Sequence, residues 1–299
     1  MKRYFNLILL GGIALGLLLP LDLGPWLKYL IWTQLFIIIL LSYFQMELDV
    51  KSLGAQSGRL LGFYLGRFCL LPVLLFGGAI LWDDFYAQGI FLLAVLPAGV
   101  TAPALTAIFK GRMELSLILL VISSLLCPLA MPFLSKWILG SVLEIDAWGM
   151  LLSLSITVIG PFLIFWPLRN RTKVVDFARK INTPVVISLM GVFVITVTAQ
   201  NRDLIFAEPV LLIWHLLVAC GVYGLFYVVG WYGWWGGRFA ERLAVSFASG
   251  ANNIALGIAV GYTYFSPEIG FFFIAGQLAW TLMLAPVQRL VKKYETVGE

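Results

Sequence analysis

Charged side chains are scarce in this sequence. Only 12% of its 299 residues are Asp, Glu, Lys or Arg, whereas 61% are hydrophobic. A soluble domain keeps about a quarter of its residues charged, because it needs a solvated surface. The shortage excludes a soluble globular protein of this length. It predicts an all-α integral membrane protein whose outer surface faces lipid.

Residues typical of catalytic and metal sites are equally few. His215 is the only histidine, and the three cysteines lie in apolar stretches without metal-ligand spacing. No HExxH motif or phosphate-binding loop is present. The run around Ser249 is faintly similar to the Gly-x-Ser-Gly of rhomboid proteases, but Phe247 replaces the first glycine and the histidine precedes the serine. We therefore expect no enzyme activity, no metal site and no cofactor.

Long apolar runs account for most of the chain. A helix crosses the hydrocarbon core with about 20 apolar residues, and Gly, Pro and charged clusters separate the runs. The basic start, Met1 to Arg3, is not followed by a small-x-small cleavage site, so we interpret the first run as a membrane helix rather than a cleaved signal. The predicted spans are ten: 5–20, 27–46, 60–82, 87–108, 114–139, 148–168, 182–200, 209–235, 241–265 and 268–288.

The basic residues support this count, because they collect on one side of the predicted membrane. One side receives only Lys28, Lys136 and Arg202. The other side receives sixteen: Lys2, Arg3, Lys51, Arg59, Lys110, Arg112, Arg169, Arg171, Lys173, Arg179, Lys180, Arg238, Arg242, Arg289, Lys292 and Lys293. By the positive-inside rule both termini are cytoplasmic. The net charge of +5 is therefore a topology signal of a multi-pass protein, which we place in a bacterial inner membrane, and predicts no nucleic-acid partner.

The longest cytoplasmic loop, 168–181, divides the chain into two sets of five spans. Because five is odd, the two sets lie in the membrane with opposite orientation, which is the inverted-repeat plan of many secondary transporters. The predicted repeats are residues 1–145 and 146–299. Such folds place the solute site near the midplane, where helices are interrupted.

The fourth span of each set carries an interruption. In span 4, Pro97 and Pro103 each remove a backbone donor, and Gly99 allows the chain to bend. In span 9, the adjacent Asn252 and Asn253 are costly in lipid unless their amides are bonded. The alternative is that these residues only kink helices or allow close packing. Their matching positions favour a solute site.

Arg67 is the one basic residue deep inside a predicted span, because Lys28, Lys136 and Arg242 lie close to a span end. It follows Arg59 by eight residues, and therefore lies about 12 Å along the helix, close to the middle of a core about 30 Å thick. A guanidinium at that depth usually faces the protein interior. Two interpretations remain open: a fixed cation at the site, or a side chain that snorkels to the cytoplasm or bonds carbonyls for packing only.

A set of small, polar and proline residues lies at and beside the two interruptions. Its members are Pro97, Gly99, Thr106, Gly111, Leu115, Ser116, Ser123 and Ser124 in the first set of spans, and Gly250 and Asn253 in the second. In these residues the sequence resembles the bile acid:sodium symporter superfamily. The resemblance implies a panel of spans 1, 2, 6 and 7 beside a core of spans 3–5 and 8–10, with spans 4 and 9 crossing at the solute site. It also implies alternating access by rocking of the core against the panel.

The sodium ligands that the resemblance implies are mostly missing. The corresponding positions hold Arg67, Ala102, Pro103, Ser116, Leu120, Ala248 and Asn252. Only Ser116 is retained, and Asn252 is a shortened amide. We therefore expect no sodium coupling of the family type, and Arg67 stands in the place of a glutamine that helps to hold sodium.

These residues predict a secondary transporter of a small organic, anionic solute, with the solute and the lipid bilayer as its partners. Two alternatives stay open: a sodium- or proton-coupled symporter, and a non-transporting membrane sensor. Proton coupling normally needs a buried carboxylate or histidine, and only His215 qualifies. The expected site residues are Arg67, Thr101, Pro103, Thr106, Ser116, Ser249, Asn252 and Asn253.

Overall fold

Helices follow the apolar segments one after another in the structure, a computed structural model that describes residues 11–45 except 20, 22 and 25, then 57–140 and 144–297. In chain order the helices are α1 (11–18), α2 (Trp26–Tyr43), α3 (Ser57–Ala79), α4 (Asp84–Val95), α5 (Thr101–Ile108), α6 (Met113–Leu139), α7 (Ala147–Leu168), α8 (Thr172–Gln200), α9 (Arg202–Ala207), α10 (Pro209–Gly233), α11 (Phe239–Gly250), α12 (Ile254–Tyr264) and α13 (Pro267–Val297).

Seven of the described helices are long and apolar enough to cross a membrane: α2, α3, α6, α7, α8, α10 and α13. Two of the other predicted spans are divided into shorter helices, α4 with α5 and α11 with α12. Of the predicted first span, 5–20, the structure describes residues 11–19, and 11–18 are helical. The chain is therefore an all-α, multi-pass integral membrane protein.

The predicted loop 168–181 is wrong in its extent. Helix α8 begins at Thr172, so most of that segment is helical. Its exposed side chains include Lys173 and Lys180, and water solvates such side chains as well on a helix as in a loop. Asp176 lies four residues before Lys180, a spacing that favours helix. Apolar length locates a span, but a helix can continue beyond the membrane.

The interruption in span 4 runs from Leu96 to Val100, between α4 and α5. Pro97 cannot donate a backbone hydrogen bond, and a helix rarely continues through such a residue. The interruption in span 9 covers 251–253, between α11 and α12. There the Asn253 side-chain oxygen accepts the N–H of Leu256 at 3.3 Å and caps the start of α12. Each interruption therefore has a local cause in the sequence.

Helices α3 and α7 each contain a widened turn of π-helix, at Leu65–Leu70 and Ser155–Ile159. Each turn ends shortly before a proline, Pro72 or Pro161. A proline ring collides with the carbonyl one turn earlier, and a widened turn relieves that collision. Arg67 lies within the first of these turns, so the direction of its side chain departs from regular α-helical spacing.

Most helices pack against two or three neighbours. Helix α2 packs against α7 and α8, α6 against α5, α7 and α11, α10 against α11 and α13, and α3 against α4. Most buried apolar side chains form one large cluster. A smaller cluster joins α3, α6 and α11 and contains Leu120 and Ala248. The two interruptions lie near the contact between α12 and α2.

Candidate functional site

The two interruptions meet and bond to each other through their backbones. Ala98 and Asn252 form an isolated antiparallel bridge. The N–H of Asn253 donates to the carbonyl of Pro97 at 2.9 Å. Extended backbone inside a membrane is tolerated only where protein or a water-filled cavity satisfies it. Here each interruption satisfies part of the other.

Close approach of the two segments depends on Gly99. Its N–H donates to the carbonyl of Ala251 at 2.5 Å, and a Cβ at this position would lie 2.8 Å from the carbonyl oxygen of Asn252. From α6, the Ser123 hydroxyl accepts the N–H of Ala98 at 3.1 Å. Ser123 is not among the site residues that the sequence predicts. The available signal was a polar side chain within an apolar helix that follows the interruption.

Arg67 is buried, with 1% of its surface exposed, and its guanidinium donates to four acceptors. Nε donates to the Ser249 hydroxyl at 2.8 Å and one terminal nitrogen donates to the Ala94 carbonyl at 2.8 Å. The other terminal nitrogen donates to the Ser249 carbonyl at 2.7 Å and to the Asn252 side-chain oxygen at 3.4 Å. The side chain therefore points into the protein and does not snorkel.

Aromatic rings cover the guanidinium as well. Its central carbon lies 3.8 Å from the centroid of the Phe226 ring and 4.8 Å from that of Phe68. Attraction between a cation and an aromatic face strengthens when water is excluded. Within the described residues no acidic side chain forms an ion pair with Arg67. Its positive charge is therefore balanced by dipoles and π-electrons.

The carbonyls that accept from Arg67 belong to two helix ends. Ala94 lies in the last turn of α4, and Ser249 lies in the last turn of α11. The last carbonyls of a helix lack partners within it, and the end carries a partial negative charge of about half a unit. One buried cation thus satisfies the carboxyl-terminal ends of both interrupted helices. The electrostatic reason for its position is the convergence of these two ends.

Ser249 and Asn252 accept hydrogen bonds from the guanidinium and also donate hydrogen bonds to other residues. The Ser249 hydroxyl donates to the Phe226 carbonyl at 2.6 Å. The Asn252 amide nitrogen donates to the Leu93 carbonyl at 2.8 Å. Since the Ser249 hydroxyl is engaged with Arg67 and Phe226, no histidine serves as its base, and a rhomboid-like serine–histidine pair is not formed.

A cavity of about 70 Å³ adjoins the interruptions. Thr101, at the start of α5, and Asn253, before α12, both line it, so two helix N-termini open onto the same space. Gln277 and Trp280 of α13 line it as well. Asn252 lines the cavity and also contacts Arg67, which itself is not a lining residue. Any influence of Arg67 on a solute there passes through the dipoles of its partners.

Two smaller cavities adjoin the first. One, of about 30 Å³, shares Met190 and Gln277 with the first cavity and is also lined by Thr198, whose buried hydroxyl has no partner among the described residues. The other, of about 10 Å³, shares Val100 and Asn253. Because each smaller cavity shares lining residues with the first, the three spaces are adjacent, and we call them together the seam.

The other predicted site residues lie apart from the guanidinium. Pro103, which the sequence predicts to interrupt span 4, instead lies in the first turn of α5, where a missing backbone donor is tolerated, and it is buried. The Thr106 hydroxyl donates to the Ala102 carbonyl at 2.8 Å within the same helix, which is a local bond. Ser116 is buried at the start of α6, and within the described part of the chain its hydroxyl has no hydrogen-bond partner. The structure thus assigns Arg67, Ser249 and Asn252 to one cluster and Thr101 and Asn253 to the cavity.

His215 lies in an aromatic pocket. Its Nδ1 is 3.0 Å from the Tyr86 hydroxyl, and its ring stacks on Phe85 and meets the edges of Phe271 and Phe272. It is fully buried and does not line the three cavities of the seam. Its contacts are those of a packed ring.

Three of the positions where the resemblance implies sodium ligands hold apolar, buried side chains. Ala102 and Ala248 are fully buried, and Leu120 is 3% exposed. None of these side chains carries an oxygen. Sodium, as a hard cation, binds to oxygen ligands. These three positions therefore supply no side-chain ligand for sodium.

Comparisons with known proteins agree with the resemblance. The profile described as the sodium bile acid symporter family matches residues 34–208. Over 298 residues the chain is 23% identical to the Uncharacterized protein YbaS of Bacillus subtilis (strain 168), with 95% of each chain covered. Over 118 residues it is 23% identical to the Probable sodium/metabolite cotransporter BASS1, chloroplastic, of Oryza sativa subsp. japonica; this match covers 39% of this chain and 29% of that protein.

Proposed function

This chain belongs to the sodium bile acid symporter family, and from that premise we propose that it carries a small organic anion by alternating access without sodium, with Arg67 as a fixed cation. The family is one of membrane transporters and not of enzymes. The single observation that carries the proposal is the buried guanidinium bonded to the carboxyl-terminal ends of α4 and α11.

A buried charge is costly unless its hydrogen bonds are satisfied. The Arg67 guanidinium meets that condition with carbonyl, hydroxyl and amide oxygens alone. Carbonyls at helix ends also bind metal cations in transporters with interrupted helices. A guanidinium at such ends performs the same electrostatic task permanently, and the crossing then needs no ion from solution.

The apolar side chains at Ala102, Leu120 and Ala248 support the absence of sodium. One relative is named as a probable sodium/metabolite cotransporter, and that name concerns the relative alone. In this chain the positive charge is covalently fixed. Transport would then be downhill or by exchange, because no ion gradient is harnessed.

The proposed motion follows the division of the helices. We assign α1, α2, α7 and α8 to a panel, and the remaining spans to a core that contains both crossing segments. In this scheme the chain has ten spans in two inverted repeats, 1–145 and 146–299. The two larger cavities of the seam lie between α2 or α8 on one side and α12 or α13 on the other, and the smallest lies between α2 and the two interruptions. In this scheme the core would rock against the panel across the seam.

An anionic solute suits the charge distribution of the central cavity. The N-termini of α5 and α12 carry partial positive charge. Thr101, Asn253 and Gln277 add neutral polar groups, and the remaining lining, such as Ile39 and Trp280, is apolar. A small carboxylate with an apolar body would satisfy both parts of this lining.

The test combines ligand binding with flux. Purified protein is screened by thermal shift against small organic carboxylates, in sodium and in potassium buffers, and each hit is then followed as uptake into proteoliposomes. We expect stabilisation of several degrees, equal in the two salts, because a ligand that binds the folded state raises its stability. Equal uptake in both salts is the corresponding flux result.

Variants at Arg67 separate the proposal from its alternatives. Arg67→Ala is expected to abolish uptake, whereas the matched control Arg171→Gln, on an exposed residue, leaves it unchanged. Arg67→Lys, which retains a charge but loses the forked geometry, should keep partial uptake. Sodium-dependent stabilisation or uptake of the unmodified protein would instead establish a coupled symporter, and binding without flux would establish a sensor.

A further inference from the structure

A second concave surface lies between α10, α11 and α13, and it shares no lining residue with the seam. The groove has a volume of about 190 Å³ and an aromatic and aliphatic floor that includes Tyr227, Trp231, Phe239, Leu243 and Val287. It is open to the surroundings, since Phe239 is 36% exposed. The polar Ser246 in its wall already donates to the Tyr227 carbonyl at 2.8 Å. The floor is therefore suited to a hydrocarbon chain.

Arg242 is fixed beside this groove. Its Nε donates to the Trp231 carbonyl at 3.1 Å, and its guanidinium lies 4.3 Å from the Trp231 ring and 5.6 Å from the Tyr232 ring, both of which line the groove. Its two terminal nitrogens have no hydrogen-bond partner among the residues that the structure describes. Glu241, its acidic neighbour, is paired with Arg112 at 2.9 Å. A guanidinium with two free terminal nitrogens therefore lies beside the apolar groove.

We propose that this groove binds one anionic phospholipid, with an acyl chain along the aromatic floor and the phosphate on Arg242. Exposed Arg238 directly precedes α11 and exposed Arg289 lies on α13, so both add positive charge to helices that line the groove. Basic pockets between helices at the cytoplasmic surface bind anionic headgroups. Aromatic side chains such as Trp231 and Tyr232 are favoured at that depth. The inference is independent of the proposed solute and of its coupling.

Native mass spectrometry of the purified full chain in detergent tests the proposal. Phosphatidylglycerol and phosphatidylcholine with identical acyl chains are titrated separately. We expect one phosphatidylglycerol to be retained more tightly than phosphatidylcholine, and Arg242→Gln to weaken phosphatidylglycerol about fivefold, since one surface cation contributes about 1 kcal/mol to binding of an anionic lipid. Arg171→Gln, which removes a charge elsewhere, should change nothing. Val228→Trp, in an exposed residue that lines the groove, should weaken both lipids.

Arg242→Lys distinguishes charge from structure. It retains the positive charge but not the forked donor set, and should keep most of the preference for phosphatidylglycerol. Equal retention of the two lipids by the unmodified protein overturns the proposal. So does an Arg242→Lys variant as weak as Arg242→Gln, because the bond to Trp231 would then matter and not the charge. Equal competition by glycerol phosphate would also overturn it, because the acyl chain would contribute nothing.

Discussion

At the scale of single residues, Arg67 differs from the other basic side chains whose surroundings are described. Arg59 and Arg112 lie near the ends of helices, where water is accessible, whereas Arg67 is 1% exposed. Its partners are neutral, so its stability in the protein depends on every acceptor being in place. Any residue that supplies one of those acceptors should therefore be more sensitive to substitution than an equally buried neighbour.

The adjacent asparagines provide a test at this scale. Both side chains line the cavity, but the Asn252 amide is already bonded to Arg67 and to the Leu93 carbonyl, whereas Asn253 caps α12. Asn252→Ala removes one acceptor from the buried Arg67 guanidinium and one donor from the buried Leu93 carbonyl. We expect it to cost about 2 kcal/mol, seen as a lower Tm of the purified protein in detergent.

Asn253→Ala is the matched control. It removes a helix cap, which costs about 1 kcal/mol, and a polar group from the cavity. Its Tm should fall less than that of Asn252→Ala, while the affinity for any solute found in the thermal-shift screen should fall more. The opposite ranking of the two variants, in either measurement, would contradict the roles assigned to these side chains.

At the scale of the helix, α10 and α11 pack more closely than their large side chains would allow. A Cβ at Gly230 of α10 would lie 2.6 Å from the Ser246 Cα and 2.7 Å from the Ser249 Cβ. The contact at Ser249 places the Phe226 carbonyl within reach of the serine hydroxyl that holds Arg67. The closeness of these two helices therefore positions the guanidinium.

Gly230→Ala is expected to separate α10 from α11 and to destabilise the protein by about 1–3 kcal/mol, the usual cost of overpacking. Gly221→Ala in the same helix is the control, because a Cβ there would meet nothing within 4 Å. Thermal unfolding of both variants in the same detergent gives the comparison. Equal Tm values would show that the α10–α11 contact has room that the structure does not indicate.

At the scale of the whole molecule, the charge asymmetry across the membrane predicts the orientation. Arg171, between α7 and α8, belongs to the basic side, and Asp84, at the start of α4, belongs to the other. Both positions are exposed. With Cys69, Cys127 and Cys220 replaced by serine or alanine, a cysteine at either position becomes a reporter.

Cysteine at position 84 should react in intact cells with a maleimide that does not cross the membrane, while cysteine at position 171 should react only after the cells are opened. The physical reason is that translocation of Lys and Arg is disfavoured near span ends. Labelling of position 171 alone in intact cells would show that the protein has the opposite orientation. Labelling of both positions would show that the number of spans between them is even.

The sequence by itself determined the all-α membrane class, the family and the positions of the two interruptions. Hydrophobic length reports the thickness of the bilayer, and proline, glycine and paired asparagines change the backbone locally, so these signals act over short segments. The sequence did not predict that α8 begins at Thr172, before its apolar part. Hydrophobic length carries no information about the part of a helix that lies outside the lipid.

Only the tertiary structure decided what the buried groups do. Arg67 reaches Ser249 across 182 positions of the chain and Ala94 across 27, and no local pattern specifies such a meeting. Whether Thr106 or Asn253 faces a cavity likewise depends on how whole helices pack. Local propensity and hydrophobicity act within one turn or one span, while a solute site is made by the convergence of helices that are distant in sequence.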